Sequence, residues 1–141
     1  MYFHEEKMDL LRVPQEYRIA HCVSGDFALG AGVAKAIENA FHVREILLKK
    51  YAPFGVAVPC CCQAKNVYNL VTKQKYWQKP TLDSLRGSLV EMKRAIEKDG
   101  VKKIAMPRIG CGLDRLKWND VKEVIQEVFD DTDLEILVCY L

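Results

Sequence analysis

Apolar residues recur along this chain in two rhythms. Short β-branched and aliphatic runs mark strands, and stripes with three-four spacing mark helices. Tyr2–Met8 predicts a short edge strand and Tyr17–Val23 a second strand. From Ala31 to about Lys50, the residues Val33, Ile37, Phe41, Ile46 and Leu47 fall on one stripe, which predicts a helix. Val56–Cys60 and Val67–Thr72 read as consecutive strands. Thr81, after Pro80, is a suitable helix N-cap. Leu82, Leu85, Leu89, Met92 and Ile96 then keep helical spacing until Gly100 stops the run. Lys102–Met106 predicts a strand. Trp118, Val121, Ile125 and Val128 predict a last helix with Trp118 in the core. Leu134–Leu141 is almost continuously apolar, as a strand buried on both faces would be.

Strands and helices thus alternate, with one strand pair after the first helix. That order predicts an α/β fold with helices on both faces of a sheet. No linker, internal repeat or low-complexity tract divides the chain, so residues 1–141 are read as a single domain. Ligands of such sheets bind beyond the carboxyl ends of the strands. Polar residues just past a strand end are therefore the first candidates for chemistry.

Two glycine loops meet that criterion. Ile19-Ala-His-Cys-Val23 runs into Ser24-Gly-Asp-Phe-Ala-Leu-Gly30-Ala-Gly32, with the first helix behind it. Lys103-Ile-Ala-Met106 runs into Pro107-Arg-Ile-Gly110-Cys-Gly112-Leu-Asp114, with the last helix behind it. Glycine lets backbone approach a ligand closely, and a helix start offers unpaired N–H groups to an anion. Either loop alone fits simple packing in an α/β domain. Together they suggest two cradles around one phosphate-bearing ligand. Lys73 also lies just past a strand end, followed by Lys75, Tyr76, Trp77 and Lys79. On spacing alone this reads as a solvated lysine loop, as most lysine clusters are.

Composition narrows the field. The formal charge of +2 gives no concentrated basic character of the kind nonspecific nucleic-acid binding needs. No apolar run is long enough for a membrane span, and the N-terminus does not read as a secretory signal. Six cysteines, three of them consecutive at 60–62, show no C-x-x-C spacing. A strand at 60–62 would point neighbouring thiols to opposite faces, so no metal site is expected. The expectation is reduced thiols in a cytoplasmic protein, with the nucleus also open if the source is eukaryotic. His21, on an apolar strand, is read as a structural hydrogen-bonding residue. Cys111 has no Cys-His-Asx arrangement around it and is read as a small side chain in the loop.

Ala20-His-Cys-Val-Ser24, Gly30-Ala-Gly-Val-Ala34, Leu70-Val-Thr-Lys73, Lys79-Pro-Thr81 and Met106-Pro-Arg-Ile-Gly-Cys-Gly-Leu-Asp-Arg-Leu116 occur in this order. With these motifs the chain resembles a macrodomain, and within that family the branch of terminal ADP-ribose protein glycohydrolases. The resemblance runs from about Asp9 to Leu141. It implies a three-layer α/β/α fold with a mixed central sheet, and ADP-ribose lying along the carboxyl edge of that sheet.

The resemblance assigns Gly30, Ala31, Gly32 and Val33 to one diphosphate loop and Ile109, Gly110, Cys111, Gly112 and Leu113 to the other. Asp9, with Leu10 beside it, falls where the adenine is recognised. This chain reads Lys7-Met8-Asp9 where the family commonly has Gly-Asp. Ser24 falls near the distal ribose. Arg108 is read either as a phosphate ligand or as a pin between the loop and the fold. Lys73 and Asp114 match the catalytic lysine and aspartate. The implied activity is removal of mono-ADP-ribose from acidic side chains of proteins, extending to O-acyl-ADP-ribose, with no cofactor. A lysine amine in water, with a pKa of about 10.4, is neutral in only about one molecule in 2,500 at pH 7. Attack by Lys73 needs the neutral amine, a form that desolvation in a closed pocket would favour. Two other readings remain open at this point: a reader module that binds ADP-ribose without turnover, and a hydrolase acting on ADP-ribosylated nucleic acid, which the mixed charge disfavours.

Overall fold

The computed structural model describes residues 1–52 and 55–141. Its strands are β1 (Tyr2–Lys7), β2 (Arg18–Ser24), β3 (Cys60–Ala64), β4 (Val67–Lys73), β5 (Lys103–Met106) and β6 (Glu135–Tyr140). They form one sheet in the order β1-β6-β5-β2-β4-β3. Every pairing is parallel except β3 with β4, so the sheet is mixed. The helices are α1 (Gly32–Phe41), α2 (Arg44–Lys50), α3 (Leu82–Asp99) and α4 (Trp118–Phe129), with a 3-10 turn at Leu10–Arg12.

Side chains alternate across each strand and so build two cores. Tyr68, Leu70, Ile104, Met106, Ile136 and Val138 meet Leu85, Leu89 and Met92 of α3 and Val121 and Ile125 of α4. Ile19, Val23, Val67, Val71 and Leu137 face the other way, onto Ile37 of α1, Leu47 of α2, Leu10 and Phe27. The result is the expected three layers. β6 lies between β1 and β5 and is buried from Ile136 to Cys139, which explains its unbroken apolar run. α3 starts on a capping box, with Thr81 accepting from the Ser84 amide and Ser84 from the Thr81 amide. It stops at Gly100 with φ of 68°. No helix among the described residues is long and apolar enough to cross a membrane.

Three expectations need correction. The helix expected over 31–50 is two helices. His42 takes φ of 53°, and the Arg44 amide donates to the Glu38 carboxylate at 3.0 Å, which ends α1 and restarts the chain as α2. Val33, in the first turn of α1 on the cleft wall, is outside the buried stripe at 43% exposure, whereas Ile37 and Leu47 are fully buried. The strand expected at Val56–Cys60 lies at Cys60–Ala64 instead. Pro59 has no N–H for a ladder, and the tight Lys65-Asn66 turn sets the register by pairing Ala64 with Val67. Trp118 packs against the core as expected, but it is only half-buried. Its indole N–H donates to Glu5 at 2.9 Å.

Candidate active site

The five parallel strands all end on one edge of the sheet. The loops after β2 and β5 stand there on either side of a cleft of about 1210 Å³. Asp9 and Leu10 line one end of it, and Ser24, Lys73 and Asp114 also line it. Gly30, Ala31, Gly32 and Val33 come from the first loop, and Arg108, Ile109, Gly110, Cys111, Gly112 and Leu113 from the second. Every residue that the resemblance assigned to the site therefore borders the same space.

The first loop presents backbone donors. Helix α1 begins at Gly32 without a side-chain cap. Among the described residues, the amides of 29–34 make no hydrogen bond within the chain. Uncapped N–H groups at a helix start favour an anion. Gly32 has φ of +59°. Phe27 and Leu29 also take left-handed φ, 51° and 43°, though neither is glycine. Both are buried, at 0% and 6% exposure, and that packing holds the strained turn in place.

The second loop turns at Gly110, with φ of +74°. A Cβ there would lie 2.9 Å from the Leu116 side chain. The Leu116 amide closes the turn onto the Gly110 carbonyl at 2.7 Å. Gly30 and Gly112 have neither a left-handed φ nor a close neighbour. Their contribution is an absence of side chain on the cleft wall.

Asp26 ties the first loop to the segment after β4, and the sequence reading missed it. Its carboxylate accepts from the Ser24 hydroxyl, from the Ala28 amide at 3.2 Å and from the Tyr76 amide at 3.1 Å. Partial burial works to raise its pKa. The hydrogen bonds from Ser24, Tyr76 and Ala28, with Lys75 nearby, outweigh this and hold the carboxyl below its ordinary range. An Asx pattern was the available signal, since Asp26 stands two residues before Ala28 in a turn. The Lys79 ammonium donates to the Leu113 carbonyl at 2.7 Å and ties the same segment to the second loop.

Lys73 and Asp114 meet where these ties converge. Lys73 ends β4, and Asp114 lies past the turn of the second loop. Lys73 Nζ stands 2.6 Å from Asp114 Oδ1, with the two side chains 13% and 14% exposed. Little solvent reaches the pair, so its hydrogen bond is stronger than a surface one. The arrangement sets an amine and a carboxylate in direct contact on the cleft wall. Two thiols stand close by. Burial, with Asp114 and Cys111 adding to it, pushes the Cys22 thiol up to about 12, and burial also raises Cys111. Neither is a ready thiolate at neutral pH.

Other candidates divide. Asp9 sits exposed on the rim and caps the 3-10 turn by accepting the Leu11 amide at 2.9 Å. The Ser24 hydroxyl proton is committed to Asp26. Arg108 lies over the Tyr140 ring at 4.4 Å, with Nε 3.5 Å from Glu5, so it pins the loop to β6 and β1 while its side chain borders the cleft.

His21 Nε2 lies 2.6 Å from Asn69 Oδ1 in the buried core. Asn69 Nδ2 donates to the Cys62 carbonyl, so its Oδ1 is the acceptor and His21 Nε2 carries the proton. Burial, offset in part by that bond, lowers His21 to about 4 and keeps the imidazole neutral. Cys60 and Cys62 lie on one face of β3 with sulfurs 3.8 Å apart. All six cysteines are free thiols, and among the described residues no third ligand-type side chain joins this pair.

The sequence reading also passed over Cys139, Tyr140 and Leu141, which bring the end of β6 to the cleft. The strand-end criterion that singled out Lys73 applies equally to them.

Comparison with known proteins agrees with this geometry. Residues 55–125 match the family model described as Macro domain. The chain is 41% identical over 132 residues to the ADP-ribose glycohydrolase OARD1 of Bos taurus, spanning 94% of this chain and 87% of that protein. It is 40% identical to the Homo sapiens ADP-ribose glycohydrolase OARD1 over the same shares. Among solved structures, the macrodomain of Mycobacterium tuberculosis DarG superimposes with a TM-score of 0.89 at 19% identity, covering 99% of this chain and 97% of that one. At that identity the likeness concerns the fold.

Proposed function

This chain belongs to the macrodomain family, and we propose that it binds ADP-ribose and hydrolyses the ester that joins ADP-ribose to an acidic side chain. The observation that carries this reading is the Lys73–Asp114 contact of 2.6 Å, set between the two glycine loops that line the cleft. The OARD1 relatives, named as ADP-ribose glycohydrolases, support the reaction class.

The chemistry follows from the two groups. In the ester, the anomeric carbon of the distal ribose is at the aldehyde oxidation level. Asp114 takes a proton from the Lys73 ammonium, and the freed amine attacks that carbon. The new N–C bond forms as the C–O bond to the acyl group breaks, and the electron pair leaves on the glutamate or aspartate carboxylate. That leaving group is stable as an anion and needs no strong acid. Water then adds to the lysine-linked sugar carbon with Asp114 moving the proton, the N–C bond breaks, and free ADP-ribose and Lys73 are restored. The loops hold the diphosphate so that the sugar carbon is presented to Nζ. Deacylation of O-acyl-ADP-ribose would be a different step in the same cleft: water adds to the acyl carbon, the acyl C–O bond breaks, and the ribose oxygen leaves as a hydroxyl.

In this reading the amides of 29–34 and the second loop take the phosphates, Asp9 and Leu10 border the adenine end, and Ser24 borders the distal ribose. ADP-ribosylated proteins are the partners. Six free thiols suit a reducing compartment such as the cytosol or nucleus.

The test is incubation with a protein carrying mono-ADP-ribose on glutamate, following both products. Release of ADP-ribose with an unmodified glutamate supports the proposal. Tight ADP-ribose binding without any release would make the chain a reader and end the hydrolase assignment.

A further inference from the structure

We propose that Tyr76 and Trp77 form a docking corner for the polypeptide that carries the ADP-ribosylated acidic residue. The inference rests on the hydrolase reading and adds the acceptor side of its substrate. Tyr76 is 64% exposed and Trp77 65% exposed, on a single short segment. Large aromatic faces left in water beside a cleft mark a contact surface.

The backbone that carries these rings is held in place. The Tyr76 amide is fixed by Asp26, the Lys75 amide by the Gln78 side chain at 2.9 Å, and the Gln78 amide by the Lys75 carbonyl at 3.0 Å. The Lys79 tie to Leu113 closes the segment onto the second loop. A backbone already fixed in this way loses little freedom when a partner binds.

Position gives the role. The segment begins directly after Lys73, and Tyr76 lines the cleft mouth. Leu113, at 65% exposure, and Val33, at 43%, continue the apolar rim across the mouth. The sugar carbon sits at Lys73, so whatever the ester joins to it must pass this rim.

Ring geometry indicates the class of occupant. The ring centroids are 5.2 Å apart with planes at 89°. Perpendicular rings make a corner suited to a single side chain, and they offer no pair of parallel faces on which two successive bases would stack. Two of the nearby ammonium groups are engaged, Lys73 by Asp114 and Lys79 by the Leu113 carbonyl. Exposed Lys75 supplies a charge for an acidic neighbour of the modified residue, which falls short of a phosphate-tracking groove.

Binding of intact conjugates tests this on a Lys73→Ala background, which stops turnover. Affinity is measured for free ADP-ribose, for a peptide with mono-ADP-ribosylated glutamate, and for a single-stranded oligonucleotide with ADP-ribosylated thymidine. Adding Trp77→Ala should weaken the peptide conjugate about tenfold, as for a tryptophan anchor at a contact, and leave free ADP-ribose unchanged. Trp77 is exposed and lies off the cleft lining, so the variant should fold normally. An unchanged peptide affinity overturns the inference, as does an equal loss for free ADP-ribose. A loss confined to the oligonucleotide would overturn it in favour of nucleic acid. Absence of ADP-ribose binding in the Lys73→Ala parent, with wild type also failing, would instead sink the hydrolase reading and this inference with it.

Discussion

The carboxylate of Asp26 accepts the backbone amide of Tyr76, 50 residues further along the chain, at 3.1 Å. That bond fastens the first glycine loop to the segment leaving Lys73. Asp26→Asn removes the charge that strengthens all three of its accepted hydrogen bonds. Unfolding stability should fall by about 1–3 kcal/mol, and ADP-ribose affinity should fall with it. Chemical denaturation and calorimetry on the same preparations check both. Because the Asp26 carboxyl is held below its usual range, its contribution is full above that range and is lost as pH falls through the lowered pKa.

Gly110→Ala should damage the second loop more than its single methyl suggests. The position has φ of +74°, and the new Cβ would press on the Leu116 side chain at 2.9 Å. A cost of about 1–3 kcal/mol is expected from the strained backbone alone. The matched control is Gly112→Ala, where nothing lies within 4 Å. That variant should keep its melting temperature while weakening ADP-ribose, since the methyl enters the cleft wall. Thermal melts and calorimetry separate the two.

Acid should destabilise the protein through His21. Its pKa is lowered to about 4 by burial, so the unfolded chain binds a proton between that value and the ordinary 6.5 and the folded chain does not. Its stabilising effect is full above pH 6.5 and declines as pH falls towards 4. At pH 5 the loss relative to pH 7.5 should be about 2 kcal/mol from this residue. Urea denaturation at the two pH values measures it, and His21→Asn should flatten the difference.

Much of this was legible in the sequence because it followed from local rules. The α3 stripe, its Thr81 cap and Gly100 stop, and the buried run of β6 all lie where periodicity put them. The strand-end rule pointed to the two glycine loops and to Lys73, but the roles of Lys73, Asp114, Asp9 and Ser24 came from the motifs shared with the family. The break at His42 was not legible, since it depends on Glu38 reaching the Arg44 amide and on Val43 burying beneath α2. The left-handed turns at Phe27 and Leu29 were hidden for a similar reason. Tertiary packing enforces a backbone that neither residue type favours locally. Asp26 was passed over because its decisive partner, Tyr76, is remote in the chain. The β3 register followed from its turn and from Pro59, which the apolar count ignored.

Lys73→Ala, compared with wild type on a glutamate-linked mono-ADP-ribosylated protein, tests the central claim most directly. The account predicts that ADP-ribose affinity, read by calorimetry, stays within a few-fold of wild type, while ADP-ribose release falls at least about 100-fold. Turnover undiminished in the Lys73→Ala protein would contradict the assignment of the amine as the attacking group.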